Sequence, residues 1–291
     1  MANSNNSILI DPQNGNLAFK LFTFDDNAHF DHLQRNNYYT LLWITDGVGT
    51  VKADFSVYNF APGMLFAFSP YQPFMLSTTA IRGNVIHFHP DFFCIHKHQP
   101  EVACNGVLFN NIYEPPYISL DDKATETLSM ITEQMKNEIQ HAALGQYELL
   151  VSYLKIFLIT ASRIKVEQQP QTLTETDNIK EPFILKTLIE SIEQNFKTKH
   201  SASEYAEALH VAPKTLAKIT KTHFNKTISD LISERIIIEA KRELYLTNKT
   251  VKEIAWDLGY QDEYYFSRFF KNNADVSPQL YRETVGFGRG V

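Results

Sequence analysis

Cysteine is scarce in this chain: its 291 residues include two, Cys94 and Cys104. Two cysteines make no disulfide framework, and their spacing fits no zinc motif. Both are expected to be small buried residues in a reducing compartment. Long apolar runs are missing as well, since nothing approaches the roughly 20 residues a membrane-spanning helix needs. The opening MANSNNSILIDPQNGN lacks the basic flank and apolar stretch of a secretory signal. These absences predict a cytoplasmic protein with no membrane partner. Positive charge is also in deficit. Lys and Arg number 27 against 33 Asp and Glu, for a net charge of −6. Taken over the whole chain, that balance argues against a nucleic-acid partner.

Catalytic constellations are absent too. No Ser/His/Asp or Cys/His arrangement stands out, so neither an enzyme nor a cofactor is expected. The histidines invite one question. His87-x-His89 would share a strand face, with His29 and His32 upstream, and such a set can hold a metal.

What is present divides in two. With 44% hydrophobic residues, the length suits two domains. Between residues 17 and 89 the pattern is that of short strands. TLLWITD is β-branched and aromatic, Asp46-Gly47-Val48-Gly49 is turn material, and Pro62-Gly63, Pro70 and Pro73 punctuate the rest. The rhythm suits a barrel or sandwich. From about residue 121 the period becomes helical. Ser119-x-x-Asp122 is read as the cap of a helix carrying Leu128, Ile131, Met135 and Ile139. After Gly145, Leu149, Leu150, Tyr153, Leu154, Phe157, Leu158 and Ala161 form a broad apolar stripe. That stripe can pack on the strands, form a dimer interface, or do both. A polar stretch without periodicity follows. The expected domains are residues 1–165, with helices over about 121–164, a linker at 166–180, and a second domain at 181–285.

The second domain contains a repeat. Residues 251–271 read VKEIAWDLGYQDEYYFSRFFK. Thr250-x-x-Glu253 is a capping box, in which hydroxyl and carboxylate satisfy each other's backbone N–H groups. Gly259 ends this helix, and Phe266, Phe269 and Phe270 mark a second one. About fifty residues upstream the plan recurs. Ser201-x-x-Glu204 caps, Ala206 matches Ala255, Leu209 matches Leu258, and Leu216, Lys218, Ile219 and Lys221 match Phe266, Arg268, Phe269 and Lys271. Two short helices around a tight turn suggest a helix-turn-helix, and a tandem pair is hard to read as an ordinary hairpin. Between the repeats lies a helix over about 228–246, spanning roughly 28 Å at 1.5 Å per residue. That is near the roughly 34 Å between successive major-groove faces on one side of B-DNA. Local charge now matters. Residues 197–226 hold six lysines against Glu204 and Glu207, a net +4, whereas residues 253–283 hold Arg268, Lys271 and Arg282 against six acids, a net −3. The first repeat is the expected electrostatic anchor.

Residues 181–283 resemble the AraC/XylS family of bacterial transcription regulators. The resemblance rests on Ala255, Gly259, Tyr260, Asp262, Phe266, Arg268, Phe270 and Lys271, then on Ser277, Pro278, Tyr281 and Arg282. It covers about a third of the chain. The chain departs from the family's usual Gly at Asn225 and Asp275, two residue types that also enter left-handed turns. The resemblance implies an α+β chain of two domains. The first is a cupin-like β-barrel followed by helices, and the second is an all-α double helix-turn-helix. It further implies double-stranded DNA as partner, a small effector in the barrel, a homodimer, contact with RNA polymerase, and usually activation.

Helical spacing and this resemblance select the candidate DNA contacts. Lys214, Ala217 and Lys218 would face bases and Lys221 a phosphate. Glu263, Tyr264, Ser267 and Arg268 form the corresponding second face, with Lys271 on phosphate and Asp262 as helix cap. Arg268 can instead pair with nearby acids, and Trp256 is expected to pack in the core or against the linking helix, the alternative being a surface aromatic used against a partner. Trp43, Phe66, Phe68 and Phe74, with His87 and His89, are the candidate effector lining; the alternative is that these rings only fill the barrel. Metal-binding cupins place histidines where TLLWITDGVGTV and Gln72-Pro73-Phe74 have none, so no metal is expected. Two rivals stay open: an effector-independent regulator whose barrel is a dimerisation platform, and a cupin metalloenzyme with a helical tail.

Overall fold

The computed structural model describes residues 7–11, 15, 17–102, 106–141, 143–168 and 180–286. The chain divides into two units, residues 1–111 with 116–169 and residues 112–115 with 170–291. The division after residue 169 falls within the expected linker, of which residues 169–179 lie outside the described residues.

In the first unit, β1 (Ser7–Ile10), β2 (Leu17–Phe24), β3 (Tyr39–Gly47), β4 (Gly49–Ala53), β5 (Ser56–Phe60), β6 (Met64–Phe68), β7 (Phe74–Ser77) and β8 (Ile81–Phe88) precede a short helix α1 (Gln99–Val102) and β9 (Tyr117–Ser119). They pair antiparallel into a six-stranded sheet, β1-β2-β8-β3-β6-β9, and a three-stranded sheet, β5-β4-β7. β3 is buried on both faces, which is why TLLWITD shows no polar alternation. Leu42 and Ile44 join Phe22, Phe66, Phe68, Val85 and the second sheet's Val51, Phe74 and Leu76 in one core. Tyr39, Leu41 and Trp43 join the other core, beneath two long helices. The chain passes from β3 to β4 at Gly47, where φ is +98° and a Cβ would sit 2.3 Å from the Ala80 carbonyl oxygen. Only glycine fits there.

Those helices are α2 (Asp122–Gln140) and α3 (Gln146–Gln168). The cap of α2 is Asp121, whose carboxylate accepts from the Ala124 N–H at 2.7 Å. Ser119 belongs to β9 instead, which corrects the expected cap. Leu150, Leu154, Phe157, Leu158 and Ala161 of α3 are buried in the core under the six-stranded sheet. The helix continues past the expected boundary at 165, and Lys165 is buried with its ammonium donating to the Tyr117 carbonyl at 2.8 Å. No helix among the described residues is long and apolar enough to cross a membrane.

The second unit is helical: α4 (Lys180–Asn195), α5 (Ala202–Ala208), α6 (Pro213–Phe224), α7 (Ile228–Leu246), α8 (Val251–Asp257), α9 (Glu263–Ala274) and α10 (Pro278–Val285). Leu185, Leu188, Ile192 and Phe196 bury one side of α4 and the residue that follows it. Both expected capping boxes form, at Ser201/Glu204 and Thr250/Glu253, and a third, Thr227/Asp230, starts α7. α7 packs against α4 and α6 of the first repeat's half and against α8, α9 and α10 of the second's. Asn225 and Asp275 both adopt left-handed conformations, with φ of 54° and 62°. They close α6 and α9 in the way glycine does at that position.

Candidate nucleic-acid interface

The two repeats share one turn. In the first, the Val211 N–H donates to the Ala206 carbonyl at 3.0 Å; in the second, the Tyr260 N–H donates to the Ala255 carbonyl at 2.9 Å. The second helix of each pair then starts with a different device. Pro213 opens α6 at its first turn, where its missing N–H costs nothing. Asp262 caps α9 by accepting from the N–H groups of Tyr264 and Tyr265 at 2.7 and 3.3 Å.

On α6, Leu216, Ile219 and Thr220 are buried, while Lys214, Thr215, Ala217, Lys218 and Lys221 are exposed. Lys214 and Lys218 make no hydrogen bond or ion pair among the described residues, and Lys221 only reaches the Asn225 carbonyl at 3.2 Å. On α9, Phe266 and Phe270 are buried; Tyr264, Arg268 and Lys271 are exposed, with Glu263 and Ser267 partly so. Arg268 has no acidic partner among the described residues, so its alternative role of pairing with nearby acids is not realised. Each second helix thus presents a solvated face bearing unengaged cations, free to meet phosphates or base edges.

Two placements differ from expectation. Trp256 is not core: it is 61% exposed on α8, because the buried positions of that helix are Ile254 and Ala255. Lys226, counted in the positive charge of the first repeat, is turned inward. Its ammonium lies 2.7 Å from the Glu234 carboxylate and donates to the Ile112 carbonyl at 3.0 Å. The outward charge of that repeat is therefore smaller than the sequence count. Spacing does not single out Tyr265, which is 58% exposed beside Tyr264.

α7 joins the repeats through a chain of ion pairs that sequence reading does not find. Glu193 of α4 meets Arg235 at 2.8 Å, and Arg235 meets Glu239 at 3.3 Å. Arg242 then bridges Glu239 and Glu243 at 2.7 and 2.6 Å, and Lys249 bridges Glu243 and Asp257 of α8 at 2.9 and 2.7 Å. Burial pushes the Glu239 carboxyl upward, but the two arginines outweigh it and hold it below its usual range. Arg282 of α10 adds a second brace, donating to the carbonyls of Leu244 and Lys249 at 3.1 and 2.6 Å. The i, i+3 and i, i+4 spacings along α7 could have revealed the first of these devices.

The candidate effector residues do not form one lining. Phe66, Phe68 and Phe74 lie in the core between the sheets, with the rings of Phe68 and Phe74 stacked at 4.0 Å. Trp43 lies on the opposite face of the six-stranded sheet, toward α2 and α3, because successive strand residues alternate sides. His87 shares the inter-sheet face with Val85, but His89 falls beyond the end of β8. Its Nδ1 accepts from the Asp91 N–H at 3.3 Å and lies 3.6 Å from the Asp91 carboxylate. No group of three or more His, Cys, Asp or Glu among the described residues is placed to hold a metal.

A family model described as a helix-turn-helix domain matches residues 205–284, the span from α5 to α10. The regulatory protein SoxS of Salmonella typhimurium is 30% identical over 102 residues, which are 35% of this chain and 95% of SoxS. The chain belongs to the AraC/XylS family. RafR, the raffinose operon transcriptional regulatory protein of Pediococcus pentosaceus, is 27% identical over 140 residues, 48% of this chain and 46% of that protein. The activator RhaS of Mannheimia succiniciproducens is 29% identical over 97 residues, 33% of this chain and 36% of that protein. The chain therefore spans less than half the length of these two relatives. Among solved structures, ToxT from Vibrio cholerae O395 is 17% identical with a TM-score of 0.38, covering 94% of this chain and 99% of that one. That likeness is too distant to bear on function.

Proposed function

We propose that this AraC-type chain is a sequence-specific DNA-binding transcription regulator that activates through a bipartite operator. One observation carries the reading: α6 and α9, each exposing unengaged cations, are packed on a single rod, α7, of 19 residues. At 1.5 Å per residue that rod spans roughly 28 Å. Lys214, Ala217 and Lys218 face bases in one half-site, and Glu263, Tyr264, Ser267 and Arg268 in the other. Lys221 and Lys271 hold phosphates. In the finer form of the proposal the chain acts as a homodimer, through the exposed Leu149 and Ile156 of α3, and touches RNA polymerase. A small effector held by the first unit adjusts DNA binding, which requires different affinity for two states.

A second reading has its own support. The rings of Phe66, Phe68 and Phe74 pack on each other, as they do in a first unit that serves only as a dimerisation platform.

Enrichment of random double-stranded DNA on the full-length protein tests the proposal. The expected product is one motif with two blocks about 10 base pairs apart. Recovery of unenriched sequence would overturn it. Thermal-shift screening of small molecules, followed by operator binding, separates the effector reading from the platform reading.

A further inference from the structure

The two repeats meet at a second place besides α7. The segment that leads into the first repeat, residues 196–200, is held to α4 and α5. The Thr198 and Lys199 N–H groups both donate to the Asn195 carbonyl at 2.9 Å. The Tyr205 hydroxyl donates to the Lys199 carbonyl at 3.2 Å, and the His200 N–H donates to the Glu204 carboxylate at 3.1 Å. Phe196 is buried, with the Arg235 guanidinium of α7 4.0 Å over its ring. Against this segment lies the turn of the second repeat. A Cβ on Gly259 would stand 2.2 Å from the Lys197 carbonyl oxygen and 3.1 Å from the His200 Cε1. The His200 ring stacks on that of Tyr260, with centroids 4.8 Å apart and planes at 28°. Tyr260 is buried and packs on Phe266 and Phe269 of α9, at 5.3 and 5.4 Å by centroids.

This contact is not a requirement of the turn itself, because His210, at the matching position of the first repeat, is exposed. Nor is it a polar contact. The His200 Nε2 is buried without a hydrogen-bond partner among the described residues. A ring that forfeits a hydrogen bond to water in order to lie there is held by its face. Mechanics supplies the reason. Two bodies joined through one rod can still rock about it, and a second point of attachment removes that freedom. α8, α9 and α10 pack on α7, which is the first attachment. The stack of His200 on Tyr260 is the second, and it leads directly into α9. Side chains that read bases need such support, since a displacement of about 0.5 Å already spoils their geometry.

We propose that His200, acting through Tyr260, is a positioning residue that fixes α9 relative to α6 and thereby sets the half-site spacing the chain accepts. The proposal rests on the bipartite reading and adds what determines its spacing.

The test is DNA binding by full-length wild type, His200→Ala, His200→Gln and His200→Phe on three duplexes. One is the site that wild type enriches from random DNA; the others have one base pair added or removed between its two blocks. Each change shifts the second block by about a tenth of a helical turn. Wild type is expected to bind the altered sites about tenfold more weakly than its own. His200→Ala and His200→Gln should narrow that gap to about threefold or less. His200→Phe, which keeps the ring, should restore it. A histidine that only supports the fold would lower affinity for all three duplexes in proportion and leave the gap unchanged, and that result overturns the proposal. So does a Phe variant that behaves like the Ala variant, since the stack would then not be the cause. A wild type that enriches two blocks yet tolerates the altered spacing overturns the positioning role and leaves the bipartite reading intact. Enrichment of a single block overturns both.

Discussion

His210 and Gly259 occupy the same position in the two repeats, one residue beyond the helix cap, both left-handed with φ of 52° and 84°. A Cβ on Gly259 would lie 2.2 Å from the Lys197 carbonyl oxygen, whereas His210 is exposed and carries its side chain into solvent. The same turn is thus built with glycine where a backbone approaches and without it where none does. Left-handed conformations cost a non-glycine residue about 1–2 kcal/mol, and glycine costs about 0.5–1 kcal/mol of entropy in return. His210→Gly should therefore leave stability unchanged or raise it by up to about 1 kcal/mol. Gly259→Ala should lower it by about 2 kcal/mol or more, since strain and a clash add. Urea unfolding of the two variants checks this contrast, and equal effects would contradict the role given to the Lys197 carbonyl.

Lys221→Ala with Lys271→Ala should weaken binding to cognate and random DNA alike. The slope of log affinity against log salt should flatten by roughly one unit for each phosphate no longer neutralised. Titration by fluorescence anisotropy across a series of salt concentrations measures it. An unchanged slope would remove these lysines from the interface. Lys226→Ala serves as the control: that ammonium is buried on Glu234, so its removal should lower stability and leave the slope unchanged.

Replacing Glu263 and Tyr264 together should relax sequence preference in one half-site only. Tyr264 is 80% exposed and supports no core, so the fold should persist. Selection of operators from random DNA would reveal the change. A motif identical to that of the native chain would exclude base reading through these side chains.

The ion-pair chain on α7 gives a pH dependence. The Glu239 carboxyl is held below its usual range, so it stabilises the fold above its unfolded-state pKa and that contribution fades as pH falls through the lower folded value. Glu239→Gln should accordingly be less stable than wild type near neutral pH, with the gap narrowing in acid. Urea midpoints on either side of the usual carboxylate range test it. A gap that holds constant would show that the Glu239 charge contributes nothing.

Much of the second unit is legible in the sequence because its signals are local. Thr250 with Glu253, Ser201 with Glu204, and Pro213 act within a few residues of chain, and the structure places each where spacing puts it. What sequence reading misses depends on distant partners. Lys226 and Lys218 look alike in sequence, and only the fold gives Lys226 an acid to turn toward. Size alone suggests the core for Trp256, but the buried face of α8 needs only Ile254 and Ala255. In the first unit, alternation groups His87 with His89, yet β8 ends at Phe88 and the chain turns there. Trp43 is hard to place because β3 is apolar on both faces, so no polar residue marks which side faces the second sheet.

The central claim is that α6 and α9 read one face of a duplex together. Hydroxyl-radical footprinting of the full-length protein on an enriched site measures this most directly. The account predicts two protected stretches about one helical turn, roughly 10 base pairs, apart on the same face. Arg268→Ala should weaken one stretch and Lys218→Ala the other. A single protected stretch, abolished in one variant and untouched by the other, would contradict it.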